Sequence, residues 1–139
     1  MTLPLKAAAI MDMADIVLYN YFRSSTSYRV RAVLHHKGLE FQYRAVHLLK
    51  DGGEQHSEEF RRLNPQGEVP TLIHDGKIIS QSVAIIEYLD EVFPNPPIFP
   101  KNPALRAQVR QFNENINSFN KKFKTFEDKI EDETCLLYT

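Results

Sequence analysis

A buried strand, an amphipathic helix and a second strand follow one another early in the chain, and this order restricts the fold more than any other feature. Residues 15–21 form an apolar run rich in β-forming side chains, which predicts a buried strand. Val30, Val33 and Leu34 then recur at helical spacing, and residues 41–48 again alternate as a strand does. Because two strands joined through a helix pair in parallel with a right-handed crossover, the chain is predicted to be an α/β protein.

Two more strands and two more helices are predicted before a proline-rich segment. Residues 57–63 predict a short polar helix, ended by the Asn-Pro dipeptide at 64–65. The pair Asp75-Gly76, between two β-rich runs, is a strong signal for a tight hairpin. Residues 81–93 carry an apolar helical stripe. The predicted order is therefore β-α-β-α-β-β-α, with parallel and antiparallel strands in one mixed four-stranded sheet.

The sequence also predicts how the chain is divided. Residues 94–101 contain four prolines. Because a segment so rich in proline can form neither a helix nor an inner strand, these residues are predicted to be a linker. Beyond it, apolar residues at helical spacing predict a helical segment in which a phenylalanine stripe continues to residue 130. The predicted regions are an N-terminal extension at 1–14, an α/β domain at 15–93, the linker at 94–101 and the helical segment at 102–139.

The composition argues against several partners. With 42% hydrophobic residues, 25% charged residues and a formal net charge of −1, the chain has the balance of a water-soluble globular protein. Its basic residues are scattered, so neither nucleic acid nor an anionic membrane is an expected partner. A single cysteine, Cys135, fits a reducing compartment, and a cytoplasmic protein is expected. The five histidines lack metal-ligand spacing, so no metal site is expected.

The run Ser24-Ser25-Thr26-Ser27 lies between the first strand and the first helix. Residues of these types most often cap a helix. A hydroxyl and the free backbone N–H groups at a helix start can also hold an anionic atom. A hydroxyl that donates to a thiolate lowers the pKa of the thiol, and the chain has no cysteine here to supply one. The thiol would therefore belong to a ligand, and dithiol exchange at this position is excluded.

Two further pairs lie where elements begin. Val69-Pro70 starts the third strand, where a trans proline is ordinary, whereas a cis bond would turn the Val69 N–H and C=O outward toward an extended peptide. Gln81-Ser82 opens the third helix, where a serine either caps the helix or helps the N-terminal amides hold a carboxylate. Each feature alone is weak evidence for a binding site, but the three together, in this order along the chain, are strong evidence for one.

On a β-α-β-α-β-β-α domain, the three features match the thioredoxin-like N-terminal domain of glutathione transferases. Residues 24–34, Ser-Ser-Thr-Ser-Tyr-Arg-Val-Arg-Ala-Val-Leu, resemble the signature of the zeta class, usually written S-S-C-x-W-R-V-R-I-A-L. Residues 64–72 and 81–89 also resemble that class, which is known as maleylacetoacetate isomerase. The resemblance covers about residues 15–117 and implies a thioredoxin-like fold with a cis proline at Pro70 and glutathione as cofactor.

The resemblance implies a role for each candidate residue. Ser24 would orient and activate the glutathione thiolate as the catalytic hydroxyl, with Ser25 as a second donor. Val69 would pair through its backbone with the cysteinyl part of the tripeptide, helped by cis-Pro70. The other implied residues are Gln55 at the glycyl end, Gln81 and Ser82 at the γ-glutamyl end, and Arg29 on a rim that receives an acidic substrate.

The reaction implied by the resemblance is the isomerisation of maleylacetoacetate to fumarylacetoacetate, a step of tyrosine and phenylalanine catabolism. Glutathione would add to the cis double bond, and rotation followed by elimination would give the trans isomer and regenerate glutathione. The implied partners are glutathione, a small acidic or electrophilic substrate, and a second copy of the chain in the full-length family form. Two alternatives stay open, a non-catalytic glutathione-binding interaction module and a general glutathione transferase.

The sequence departs from the zeta-class pattern in two places. Thr26 replaces the cysteine of the signature, and Tyr28 replaces its tryptophan. Residues 119–130 do not align with the helical domain that, in the family, supplies one wall of the substrate pocket and much of the dimer interface. The expectation is therefore a retained glutathione site with impaired turnover.

Overall fold

The computed structural model describes residues 15–118, which form two compact units divided between Ile98 and Phe99. The predicted extension at 1–14 and residues 119–139 of the predicted helical segment lie outside the described residues. The elements of the first unit are β1 (Ile16–Asn20), α1 (Ser25–His36), β2 (Gln42–Ala45), α2 (Glu58–Leu63), β3 (Thr71–His74), β4 (Lys77–Ser80) and α3 (Ser82–Val92). Two single turns of 3-10 helix, Lys50–Gly52 and Glu54–His56, lie between β2 and α2.

The four strands form one sheet in the order β2-β1-β3-β4. β1 runs parallel to β2 and antiparallel to β3, and β3 runs antiparallel to β4, which confirms the predicted mixed sheet. The hairpin between β3 and β4 turns at Asp75 and Gly76, with φ values of 47° and 74°. Two successive positive φ values suit the twist of a two-residue hairpin, and the Asp-Gly pair is well suited to them.

The core lies between the sheet and the pair α1–α3, which pack against each other. Leu18 of β1 pairs directly with Leu72 of β3, and both are fully buried. Val30 and Leu34 of α1 and Leu89 of α3 are also fully buried, as their helical spacing predicts. Each such side chain contributes about 1.5–3 kcal/mol to folding by leaving water. On the opposite face of the sheet, the ring of Tyr19 in β1 lies against Phe60 of α2.

That second face is small. The ring of Tyr19 lies 5.9 Å from the ring of Phe60, the buried residue of α2. Strand residues alternate between faces, so Tyr19 points away from Leu18 and toward α2. Ser57 caps this short helix, its side chain accepting a hydrogen bond of 3.2 Å from the Phe60 N–H.

The second strand differs from its prediction. The sequence predicts strand over residues 41–48 with alternate burial, whereas β2 spans Gln42–Ala45 and all four of its residues are exposed, Tyr43 at 47%. β2 lies at the edge of the sheet, and the last link to β1 is the bond of 2.9 Å from the Val46 N–H to the Asn20 carbonyl. Alternation of residue types at an edge strand therefore does not require alternate burial.

A buried ammonium group joins the C-terminal ends of α1 and α3. Lys37 Nζ donates to Asp90 Oδ1, to the Phe93 carbonyl and to the Pro96 carbonyl, each at 2.7 Å. The side chain of Lys37 is 0% exposed and that of Asp90 is 8% exposed. The Ile98 N–H donates to the same Asp90 oxygen at 2.8 Å, so the first part of the predicted linker is fastened to the α/β domain.

The second unit contains a helix over residues 103–118, named α4 here. Asn102 begins it, with Oδ1 accepting from the N–H groups of Ala104 at 2.9 Å and Leu105 at 3.2 Å. Pro103 occupies the first position of this helix, where its missing N–H would have had no partner within the helix. Within residues 15–118, no helix is both long enough and apolar enough to cross a membrane.

Candidate functional site

The strand register brings the three predicted features to one end of the sheet, where β1 and β4 finish and β3 begins. This end of the sheet is called the candidate edge here. Tyr19, near the end of β1, pairs with Thr71, and Thr71 in turn pairs with Ser80 at the end of β4. Because β3 is antiparallel to both neighbours, the residues after β1, before β3 and after β4 all lie at the same edge. Ser24, Val69-Pro70 and Gln81-Ser82 are the residues in those three positions.

Ser24 lies at the start of α1 as its N-cap. Its Oγ accepts a hydrogen bond of 3.1 Å from the Ser27 N–H, so the ordinary capping role is present. The same Oγ lies 2.9 Å from Thr26 Oγ1, and Thr26 Oγ1 donates to the Val69 carbonyl at 3.3 Å. The first and second predicted features are therefore joined by two side-chain hydroxyls.

An arginine that sequence reasoning left without a role fixes the loop before Ser24. Arg31 Nη1 donates to Asn20 Oδ1 at 2.7 Å and to the Tyr21 carbonyl at 3.3 Å, and Nη2 donates to the Phe22 carbonyl at 3.3 Å. Asn20 is fully buried at the end of β1. A planar guanidinium with several donors can hold a loop in one conformation, and this one ties the loop to α1.

The predicted cis bond between Val69 and Pro70 is confirmed. The Val69 carbonyl accepts the Thr26 hydroxyl, and within residues 15–118 the Val69 N–H makes no backbone hydrogen bond. The loop before it is fixed from inside, because the buried Asn64 Nδ2 donates to the Glu68 carbonyl at 2.9 Å and to Thr71 Oγ1 at 3.1 Å. The edge presented by Val69 is therefore held rigidly.

The start of α3 combines backbone strain with uncapped amides. Gln81 has φ of 72° and ψ of 118°, and no side chain caps the helix, so capping by Ser80 or Ser82 does not occur. A non-glycine residue in such a conformation destabilises the fold by about 1–3 kcal/mol, and strained residues of this kind cluster at functional sites. Gln81 Nε2 donates to Gln66 Oε1 at 3.1 Å and to Glu68 Oε2 at 3.2 Å. The buried Ser82 follows in the first turn.

Gln55 lies against the loop that carries Val69. Its Nε2 donates to the Leu48 carbonyl at 3.2 Å, and its buried Oε1 has no hydrogen-bond partner among the described residues. A Cβ placed on Gly67, whose φ is +65°, would lie 2.9 Å from the Gln55 carbonyl oxygen. Glycine at position 67 therefore lets the two loops approach closely.

Ser25 and Arg29 lie four residues apart and share one face of α1. Ser25 is exposed and Arg29 is half-buried, and burial lowers the pKa of the Arg29 guanidinium from its ordinary value. The second-donor role of Ser25 and the rim role of Arg29 stay predictions.

None of the candidate residues lines either of two open grooves on the described surface. Two open grooves are lined by other residues, one including Arg31 and Phe41 and the other including Tyr19, Phe60 and Ile78. No group of three or more His, Cys, Asp or Glu residues suited to a metal ion occurs within residues 15–118. The edge is thus an open surface of hydroxyls, amides and backbone groups.

Sequence reasoning missed residues that act on the candidates. Thr26, which the sequence shows only as a departure from the zeta-class signature, bridges two candidates. Glu68, which no sequence motif singles out, contacts Gln81 through its carboxylate. No sequence pattern indicates that Arg31 of α1 contacts the loop before Ser24. The run of residues 64–68 was noticed for its resemblance, but its turn geometry was not predicted.

The described residues thus form a thioredoxin-like α/β domain with a serine at the start of α1, a cis proline before β3 and a strained residue before α3. The family model "Glutathione S-transferase, N-terminal domain" matches residues 14–91. The chain therefore belongs to the glutathione S-transferase family.

Comparison with characterised relatives narrows the similarity. The chain is 52% identical over 102 residues to the maleylacetoacetate isomerase of Dictyostelium discoideum, covering 73% of this chain and 47% of that protein. It is 51% identical over 108 residues to the maleylacetoacetate isomerase of Rattus norvegicus, covering 78% and 50%. The chain thus spans about half the length of these curated relatives.

Solved structures agree with this placement. A bacterial zeta-class maleyl pyruvate isomerase in its holo form superposes with a TM-score of 0.64 at 43% identity, covering 68% of this chain and 44% of that one. A glutathione transferase homologue from Drosophila mojavensis with bound glutathione superposes with a TM-score of 0.66 at 32% identity, covering 70% and 44%.

Proposed function

We propose that this chain binds glutathione at the edge formed by Ser24, Val69-Pro70 and Gln81-Ser82. The observation that carries the proposal is the convergence of these three features, which are far apart in sequence, on one edge of the sheet. A hydroxyl, an extended backbone edge and a helix start match the thiol, the peptide groups and the terminal carboxylate of one small tripeptide. A solved relative holds glutathione, which supports the same ligand here.

Each group has a chemical task in this proposal. The Ser24 hydroxyl donates to the glutathione sulfur, which favours the thiolate and lowers its pKa from about 8.5. The Val69 backbone pairs with the cysteinyl part of the tripeptide. Ser82 and the uncapped amides of α3 hold the γ-glutamyl carboxylate, and Gln81 contacts the same end. At the glycyl end, the unpartnered Oε1 of Gln55 can accept the N–H of the glycyl residue.

The proposed reaction is glutathione-dependent isomerisation of maleylacetoacetate to fumarylacetoacetate. Its support is the identity of about half of the matched residues to proteins named maleylacetoacetate isomerase. The thiolate adds to the cis double bond, the resulting single bond rotates, and elimination expels the thiolate and leaves the trans isomer. Arg29, which is half-buried and shares a face of α1 with the exposed Ser25, would receive the acidic substrate.

The setting of this activity is also proposed. A homodimer in the full-length family form and a cytoplasmic location are consistent with the family and with the single cysteine of the chain.

The test separates the chemistry of Ser24 from its role as a helix cap. Ser24 and Ser57 cap α1 and α2 in the same way, accepting from backbone N–H groups at 3.1 Å and 3.2 Å. Replacing either with alanine costs about 1 kcal/mol of stability. Calorimetric titration with glutathione and the ultraviolet absorbance of its thiolate are measured for wild type, Ser24→Ala and Ser57→Ala.

The proposal expects saturable glutathione binding by wild type and Ser57→Ala with a depressed thiol pKa. It expects Ser24→Ala to return the pKa of the bound thiol close to its free value. Conversion of maleylacetoacetate to fumarylacetoacetate by the wild type would support the proposed reaction as well as the binding site. A folded wild-type chain that does not bind glutathione would contradict the proposal, and binding that Ser24→Ala leaves unchanged would remove Ser24 from it.

A further inference from the structure

We propose that Thr26 is a positioning residue whose hydroxyl exchanges acceptors when glutathione binds, coupling the Ser24 hydroxyl to the Val69 carbonyl. This inference rests on the proposed function, because Ser24 and Val69 are the groups assigned there to the sulfur and to the cysteinyl backbone. Its own evidence is the bridge in which Thr26 Oγ1 lies 2.9 Å from Ser24 Oγ and 3.3 Å from the Val69 carbonyl oxygen.

Counting protons fixes the direction of the bridge in the unliganded protein. A hydroxyl has one proton to donate and two lone pairs to accept with, whereas a carbonyl oxygen only accepts. The proton of Thr26 therefore lies toward Val69, and the proton of Ser24 lies toward Thr26. Ser24 Oγ also accepts from the Ser27 N–H at 3.1 Å, so its one proton serves Thr26 and one of its lone pairs serves the backbone.

In this proposal, glutathione binding changes the arrangement at both ends. If Ser24 donates to the sulfur, it stops donating to Thr26, and the Thr26 hydroxyl can rotate to donate to Ser24. That rotation releases the Val69 carbonyl to accept an N–H from the ligand. Ser24 Oγ then accepts from Thr26 and from the Ser27 N–H while donating to the sulfur, so every hydrogen-bonding position of the oxygen is filled.

The rotated state favours the thiolate for a physical reason. A hydroxyl that accepts a hydrogen bond is polarised and becomes a better donor, an effect of roughly 10–30% per bond in a chain. Thr26 therefore strengthens the bond from Ser24 to the sulfur without contacting the sulfur itself. A cysteine, which the zeta-class signature has at this position, donates only weakly through sulfur. Valine, with the same shape as threonine, cannot donate at all.

The test uses Thr26→Val and Thr26→Ser with two ligands, glutathione and S-methylglutathione, which lacks the thiol. For Thr26→Val, the pKa of the glutathione thiol in the complex should rise by about one unit, as expected for the loss of a hydrogen bond favouring the charged form. S-methylglutathione should bind Thr26→Val at least as tightly as wild type, because the Val69 carbonyl is then released from its internal donor. Thr26→Ser keeps the hydroxyl and should restore the wild-type thiol pKa.

Three outcomes decide the question. A raised thiol pKa in Thr26→Val, with S-methylglutathione affinity retained and rescue by Thr26→Ser, supports the coupling. An unchanged thiol pKa in a Thr26→Val protein that still binds glutathione overturns it while leaving the glutathione site intact. Equal weakening of both ligands, or failure of Thr26→Ser to rescue, shows a merely structural threonine and also overturns it. If Thr26→Val does not fold, Thr26→Ala is judged by the same readouts, and a folded wild type that binds no glutathione removes the proposed site itself.

Discussion

The two ends of the α/β domain solve the problem of buried polar groups in opposite ways. At the C-terminal ends of α1 and α3, Lys37 gives each of its three protons to one oxygen at 2.7 Å and has no alternative partner to choose. At the opposite edge, the Ser24 and Thr26 hydroxyls are hydrogen-bonded to each other, Thr26 also reaches the Val69 carbonyl, and each hydroxyl proton can turn to another acceptor by rotation. The first end holds its charged group in one fixed arrangement, and the second is the proposed ligand site.

The contrast extends to the backbone. The candidate edge contains the positive φ of Gln81 and the close approach of Gly67 to Gln55. Gly38, near Lys37, has a similar φ of +66°, but a Cβ added there would meet nothing within 4 Å. Strained backbone and unpartnered polar atoms tend to collect where a ligand binds. The close approach at Gly67 and the strain at Gln81 are therefore consistent with the ligand site proposed above.

The largest expected effect is at the fixed end. Lys37→Met leaves Asp90 with a buried carboxylate that has lost its counter-ion, and removal of one partner of a buried pair costs about 3–5 kcal/mol. Urea unfolding should show this loss in the free energy of unfolding. The matched control is Lys77→Met on the exposed strand β4, which should stay within about 0.5 kcal/mol of wild type.

If Lys37→Met lost less than about 1 kcal/mol, the fixed end would not contribute to stability as described. A Lys37→Met protein that still folds should bind glutathione with unchanged affinity, since Lys37 lies at the far end of α1 from Ser24.

Next in size is a matched pair of glycine substitutions. Gly67→Ala and Gly38→Ala place a side chain at nearly the same φ, +65° and +66°, so both incur a similar backbone cost of about 1 kcal/mol. Only at position 67 does the new Cβ meet a backbone oxygen, that of Gln55, at 2.9 Å. Thermal unfolding should show a larger loss for Gly67→Ala, and calorimetry should show weakened glutathione binding for that variant alone. Equal losses in both would mean that the close approach carries no cost.

The smallest expected effect isolates strain at the start of α3. Gln81→Ala and Gln81→Gly both remove the amide that contacts Gln66 and Glu68, but only glycine relieves the φ of 72°. Gln81→Gly should therefore be more stable than Gln81→Ala by about 1 kcal/mol in urea unfolding. Both variants should bind glutathione more weakly than wild type. Equal stability of the two would argue that the backbone at Gln81 is unstrained.

Local patterns were enough to predict most of the fold. The apolar spacing of Val30, Val33 and Leu34 predicted the buried face of α1, and Asp75-Gly76 predicted the hairpin. The mixed sheet and the cis bond before Pro70 were also predicted correctly, the latter through the family resemblance. These features depend on residues close together in sequence or on a recognisable motif.

The features that were missed depend on residues far apart in sequence. Lys37 meets Asp90 and Pro96 across more than fifty residues, and Thr26 meets Val69 across 43. No periodicity or turn signal encodes such contacts, because they arise only once the sheet brings the strand ends together. The exposure of Tyr43 was missed for a related reason, since the sequence of a strand does not show that it lies at an edge.

The central claim, that one edge of the sheet is the ligand site and the opposite end is structural, is tested most directly by backbone amide chemical shifts during glutathione titration. Saturable shifts are expected at the amides of residues 24–27, 67–69 and 81–83, together with Gln55, and none at Lys37 or Asp90. Shifts centred on the Lys37–Asp90 end, or absent from the predicted edge while glutathione binds, would contradict it.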